Sequence, residues 1–205
     1  VSTPRIPFPT PESMSDAQRA VFDAVVSGPR GTVVGPLRAA LHSPELADRW
    51  SKLGEFIRYK TMLPAKLNEL AILVTARRWN SELEWVVHSE AARAAGLEEE
   101  LIQDLLHGRP PHIADGDTAA IYEFARQIQL NGQVDDAAYE AVRSRWQERG
   151  VVELTAVIGY YTMVSMTLNA HRIPLPDGMQ PDLHAEGETS TTLTAIPMAR
   201  TQGVQ

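Results

Sequence analysis

Apolar positions in this chain recur at helical spacing, in blocks punctuated by Ser, Pro and Gly, and no segment alternates with the period of a strand. Ser15 reads as the N-cap of a first helix that ends near Gly28, and the stretch from Gly28 to Pro36 reads as a loop. Ser43-Pro44-Glu45 has a capping residue, a proline in the first turn and an early acid, which opens a helix through about Tyr59. Leu63-Pro64 opens the next, to about Trp79, and Ser81 is placed to cap another that runs to Ala95 and stops at Gly96. Helices follow over about 98–107, 115–131 and 135–148, and a long one spans roughly Val151 to Ala170. The pattern predicts an all-α fold.

Two of these helices are apolar nearly all round. In the first, Leu67, Leu70, Ala71, Ile72, Leu73 and Val74 surround Glu69. An uncompensated buried carboxylate is costly, so Glu69 must be protonated or paired with a donor, for example Arg77 or Arg78. The next helix carries Glu84 and His88 one turn apart, on a face that continues through Ala91, Ala92 and Ala95 and includes Ser81. Side chains at i and i+4 stack on one face, so this pair can share a proton or hold a ligand together. The same spacing is also common on solvated helices. Two ligands without a His-Glu-x-x-His pattern do not make a metal site, and none is expected. Val151-Val152-Glu153-Leu154 echoes Leu67-Asn68-Glu69-Leu70, each ahead of a histidine, His171 or His88. Two buried helices that begin with an acid because of the helix dipole would show the same echo.

The ends differ from the middle. Arg5-Ile6-Pro7-Phe8-Pro9 and Arg172-Ile173-Pro174-Leu175-Pro176 share an Arg-Ile-Pro-x-Pro phrase that favours extended chain. Beyond Leu183 the sequence is polar and Thr-rich, and reads as a mobile arm or a segment ordered only against a neighbouring subunit. The expected organisation is an extended arm over 1–14, one helical domain over 15–176 and a polar tail over 177–205.

Composition narrows the chemistry. The chain has 205 residues, 43% hydrophobic and 22% charged, the balance of a globular protein with a sizeable core. No uninterrupted run of about 18 apolar residues is present, so no membrane span is expected. The first residues lack the layout of a signal peptide, which makes a cytoplasmic setting the expectation; without a Met at position 1 the natural start is left open. A net charge of −7 with no Lys/Arg cluster argues against a nucleic-acid partner. There is no cysteine, which removes thiolate nucleophiles, Cys-x-x-Cys redox pairs and disulfides together.

Asn68-Glu69-Leu70-Ala71-Ile72-Leu73, Ala76-Arg77-Arg78-Trp79-Asn80-Ser81, Glu84-Trp85-Val86-Val87-His88 and Ala92 to Gly96 resemble the carboxymuconolactone decarboxylase family, which includes the alkylhydroperoxidase-D-like proteins. Glu153 to Pro176, with Gly159-Tyr160-Tyr161, is similar to the family's C-terminal helix, so the resemblance covers roughly 40–176. It implies a helical bundle assembled as a homotrimer or homohexamer, with the site near a subunit contact. The thiol peroxidase branch uses a buried Glu, a Cys-x-x-Cys pair and a His; these fall on Glu69, Ser81, Glu84 and His88, and both cysteines are absent. A family-level peroxidase label therefore lacks its thiols. The decarboxylase branch, which uses a His and neighbouring acids, implies a cofactor-independent lyase acting on a small carboxylated lactone or keto acid. His88 would transfer the proton, Glu84 orient it, and Glu69 stand behind or act as a second acid. Arg77 or Arg78 would hold a substrate carboxylate, and Ser81, Trp85, Tyr160 and Tyr161 would complete the binding site. A cofactor-free hydrolase, isomerase or cyclase would use the same residues, and a non-catalytic assembly or binding protein would keep only the fold.

Overall fold

The computed structural model describes residues 3–29, 31–183 and 193–196. Among them the regular elements are all helices: α1 (Asp16–Ser27), α2 (Pro36–Ala40), α3 (Pro44–Tyr59), α4 (Ala65–Trp79), α5 (Glu82–Ala94), α6 (Glu99–His107), α7 (Gly116–Asn131) and α8 (Asp136–His171). The chain is all-α, as its pattern predicts.

Local chemistry explains most boundaries. Ser15 makes a reciprocal capping box with Gln18, and Asp115 and Asp135 cap α7 and α8 through their carboxylates. Gly96 has φ 86, the left-handed turn expected after α5. Ser81 departs from expectation: it precedes α5, but its hydroxyl is buried without a hydrogen-bond partner rather than bonded to the first turn. Its backbone N–H instead donates to the Ala76 carbonyl at 2.9 Å, closing the end of α4 beside Asn80, which is left-handed at φ 45. α2 lies where only the end of a loop is expected.

The two C-terminal helices expected at 135–148 and 151–170 form one element, α8, broken without a loop at Gln147 (φ 56, ψ −169). α8 is long enough, and over an 18-residue window with mean hydropathy 1.4 apolar enough, to cross a membrane by length and composition. The sequence expectation of no such segment is therefore corrected. Of that window 56% is buried inside the protein, as in a core helix.

α4 is the central rod. Leu67 and Leu70 to Ala76 are buried, and α5, α7 and α8 pack around it. The turn at Asn80–Ser81 folds α5 back along α4, which sets His88 opposite Glu69. The echo acid Glu153 lies inside α8 rather than at a helix start: it accepts from Met62 N–H at 2.6 Å and Arg149 Nε at 2.7 Å, so it pins the α3–α4 loop and forms no pair with His171.

The N-terminal arm lies on the end of α8. Arg5 N–H donates to the His171 carbonyl at 2.9 Å, the Pro7 carbonyl lies 2.7 Å from His42 Nε2, and Arg38 covers the Phe8 ring at 3.8 Å. Residues 193–196 dock on this same chain, with Leu193 buried, Tyr122 donating to the Thr194 carbonyl, and Thr194 Oγ1 donating to the Gly108 carbonyl at 2.8 Å. That corrects, for these four residues, the expectation of order only against a neighbour. The remainder of the Thr-rich tail, 184–192 and 197–205, lies outside the described residues.

Candidate active site

Three residues picked out from sequence meet at one point. His88 Nδ1 lies 2.6 Å from Glu69 Oε2, and His88 Nε2 lies 3.3 Å from Glu84 Oε2. The imidazole is thus held between carboxylates on opposite sides of its ring, one from α4 and one from its own helix. Its side chain is 2% exposed, against 12% for Glu69 and 10% for Glu84. Burial acts most strongly on His88 and favours the neutral ring. Hydrogen bonds that the ring donates to Glu69 and Glu84, and the charges of those carboxylates, outweigh it and raise the pKa to about 9. At neutral pH the ring is an imidazolium. Because the two carboxylates approach opposite nitrogens, they do not converge on a shared ion. Among the described residues no group of three or more His, Cys, Asp or Glu is arranged to hold a metal.

Glu84 and His88 face a cavity of about 170 Å³. Tyr160, Tyr161 and Val164 from α8 form one wall, Val34 to Leu37 another, and Pro176 and Met179 roof it. Gly35 is required in that wall: its φ is 53, and a Cβ would sit 3.0 Å from Leu83 Cδ2. The Tyr161 ring meets His88 edge-on, centroids 4.9 Å apart at 83°, and Tyr160 continues the aromatic series to Trp50. Burial, with a further contribution from Glu84, pushes the Tyr161 phenol well above its ordinary pKa, so it stays a neutral hydroxyl.

Arg58, in the last turn of α3, also lines the cavity. Sequence reasoning missed it and proposed Arg77 and Arg78 instead. Those two do not line the cavity. Arg77 donates to the Leu105 carbonyl at 3.0 Å and to Asn80 Oδ1 at 2.6 Å, and Arg78 to the Gln129 carbonyl at 3.2 Å. Each ties the end of α4 to a carbonyl near the end of a neighbouring helix, where cations are favoured. Nor is either the partner of Glu69, whose bonded donor is His88. Trp85 is buried in the core, and neither it nor Ser81 lines the cavity; Tyr160 and Tyr161 do. The missed signal was a basic residue closing the helix before the Glu69 helix.

Residues 44–126, from the start of α3 into α7, match the carboxymuconolactone decarboxylase family model. The match contains Arg58, Glu69, Glu84 and His88 and stops before α8. No curated protein matches the chain in sequence. The fold is similar to that of an uncharacterized peroxidase-related protein from Silicibacter sp. TM1040, at TM-score 0.67 and 16% identity over 85% of this chain and 92% of that one. It is also similar to a peroxidase-related protein with an alkylhydroperoxidase AhpD core from Ralstonia eutropha JMP134, at TM-score 0.68 and 16% identity over 85% and 93%. The debrominase Bmp8 is similar at TM-score 0.63 and 13% identity over 83% and 91%. Residues 44–126 of this cysteine-free chain are thus similar to the carboxymuconolactone decarboxylase family, and the fold as a whole is alkylhydroperoxidase-D-like.

Proposed function

We propose that this protein is a cofactor-independent carboxy-lyase that decarboxylates a small carboxylated lactone or keto acid by proton transfer at His88. The observation that carries the reading is an imidazole ring clamped between Glu69 and Glu84 at a cavity that Arg58 and Tyr161 also line. Loss of carbon dioxide from a carboxylate β or vinylogous to a carbonyl leaves the bonding pair on the remaining fragment as an enolate. That charge needs hydrogen-bond donors, and the carbon then needs a proton. Arg58 is suited to orient the carboxylate before it leaves, and Tyr161 to donate to the enolate oxygen. His88 gives the proton through Nε2, on the Glu84 side, and recovers one from solvent. Glu69 holds Nδ1 and fixes the ring, so it is the positioning acid. Glu84, which lines the cavity, works at the reacting end.

The neighbours sharpen the choice of chemistry. A cysteine-to-alanine variant of Bmp8 has been captured with 2,3,4-tribromopyrrole. This chain has no cysteine, so a thiol-dependent route has no residue to carry it, and acid/base work is what the site retains.

Turnover of carboxymuconolactone, related lactones and β-keto acids, followed by carbon dioxide release, tests the assignment. Wild type is expected to be active on at least one of them, and His88→Ala to lose that activity. Equal turnover in wild type, His88→Ala and Glu84→Gln would refute it. Self-association is part of the same reading, supported by the exposed apolar Leu53, Phe56 and Val152 on one face, and light scattering measures it.

A further inference from the structure

A second, larger cavity of about 840 Å³ adjoins the first. It lies between the α4–α5 turn, the end of α8 and the extended segment from Arg172 to Pro181. Leu83, Pro176 and Met179 belong to the walls of both cavities, so one layer of side chains separates them. Much of the larger lining is apolar, including Leu168, Ile173 and Leu175, with Arg172 and Asp177 among its charged members.

The dividing layer has one movable member. Met179 follows Gly178 (φ 88), is partly exposed, and is unbranched, with the freedom that lets methionine fill or vacate an irregular gap. The segment that carries it is pinned just downstream. Glu82, in the first turn of α5, accepts the backbone N–H groups of Asp182 and Leu183, the latter at 2.8 Å. The strap is held while its methionine side chain can swing.

Size then decides what the pair of cavities takes. A dry cavity of about 150 Å³ holds a molecule the size of benzene, roughly six carbons. The His88 cavity, at about 170 Å³, therefore holds one ring-sized head group and little more. Anything longer must leave it, and the wall shared with the larger groove, made of Leu83, Pro176 and Met179, lies on one such path.

We propose that the groove under the 172–181 strap is the tail subsite of the His88 cavity, and that the ligand is amphipathic: a compact anionic head at Arg58 and His88, and an apolar tail passing Met179 into the groove. The inference rests on the head-group reading given above for the head alone.

Calorimetric titration of the full chain with straight-chain saturated carboxylates, acetate to decanoate, and with the matching 1-alkanols tests it without turnover. Affinity is expected to rise by about three- to fourfold per methylene and to keep rising beyond roughly six carbons. Leu175→Glu, which sets a carboxylate in the groove wall, is expected to end the rise at roughly six carbons. A plateau at that length in wild type overturns the proposal, whether the groove is closed or is a seat for protein. So does a Leu175→Glu protein that folds normally by circular dichroism and keeps the wild-type slope. If carboxylates bind no tighter than alkanols while both series keep rising past that length, the groove stands and the Arg58 anchor falls.

Discussion

Replacing Glu69 with Gln changes the central electrostatic relation of the site while keeping its shape. In the wild type the buried His88 pKa stands at about 9 against an ordinary 6.5, and the shift rests on hydrogen bonds donated to Glu69 and Glu84 overcoming burial. A shift of that size corresponds to about 3 kcal/mol of folding stability at 1.36 kcal/mol per unit. The group is a base whose folded pKa is raised. Its contribution is therefore fully present below pH 6.5 and disappears as the pH rises through 9. In Glu69→Gln the shortest contact loses its charge, burial regains the upper hand, and the pKa falls. Urea unfolding from pH 6 to 10 should show the wild type losing up to about 3 kcal/mol more than the variant, in which Glu84 alone still supports the charged ring, with the two curves converging above pH 9. Nitrogen-15 correlation spectra of the imidazoles, assigned with His88→Gln, give the pKa directly. A wild-type His88 that titrates at or below 6.5, or equal pH dependence of stability in both proteins, would refute the reasoning.

If His88 acts as the proton donor, kcat/KM for the decarboxylated substrate should fall as pH rises through about 9, and a limb moved to lower pH in Glu69→Gln would tie it to this ring. Arg58→Gln should raise KM for a carboxylate substrate by about tenfold or more while leaving thermal stability nearly unchanged, read from initial rates and a melting curve. Tyr161→Phe keeps the edge contact with His88 and removes the hydroxyl, so kcat should drop by about 10- to 100-fold with little change in KM. In α8, Gly159 has nothing within 4 Å of an added Cβ, so Gly159→Ala should stabilise by about 0.5–1 kcal/mol. Gly150→Ala should destabilise, because its Cβ would lie 2.2 Å from Trp146 Cβ, which cannot swing aside; paired melting curves decide both.

The helices were legible because their signals are local. Capping side chains, prolines in first turns and Gly96 all act within a few residues of the boundary they set. α2 escaped because five residues beside a Gly-Pro loop leave little periodicity to read. The break in α8 escaped for the opposite reason: Gln147 carries no helix-breaking chemistry of its own, and only the fold holds it in the left-handed region. Ser81 misled because a residue can have the right type and position for a cap while burial turns its hydroxyl inward.

The site divides along the same line. Glu84 and His88 share a helix, so their meeting could be read from spacing, whereas the Glu69–His88 contact crosses between α4 and α5. Sequence proximity then pointed to the wrong arginines. Arg77 is eight residues beyond Glu69 on one helix, which at 1.5 Å per residue places it about 12 Å along the axis, out of reach of the same ligand. Arg58 is on the preceding helix, and only the packing of α3 with α8 carries it to the cavity. In the proposed mechanism the tertiary contact also exchanges the expected parts of the two acids. Glu69 takes the nitrogen away from the cavity wall and fixes the ring, leaving Glu84 beside the nitrogen available for chemistry. An imidazole held charged in this way is a proton donor from the outset. The reaction best matched to it starts with departure of a group that leaves electrons behind and ends with protonation, and decarboxylation has that order.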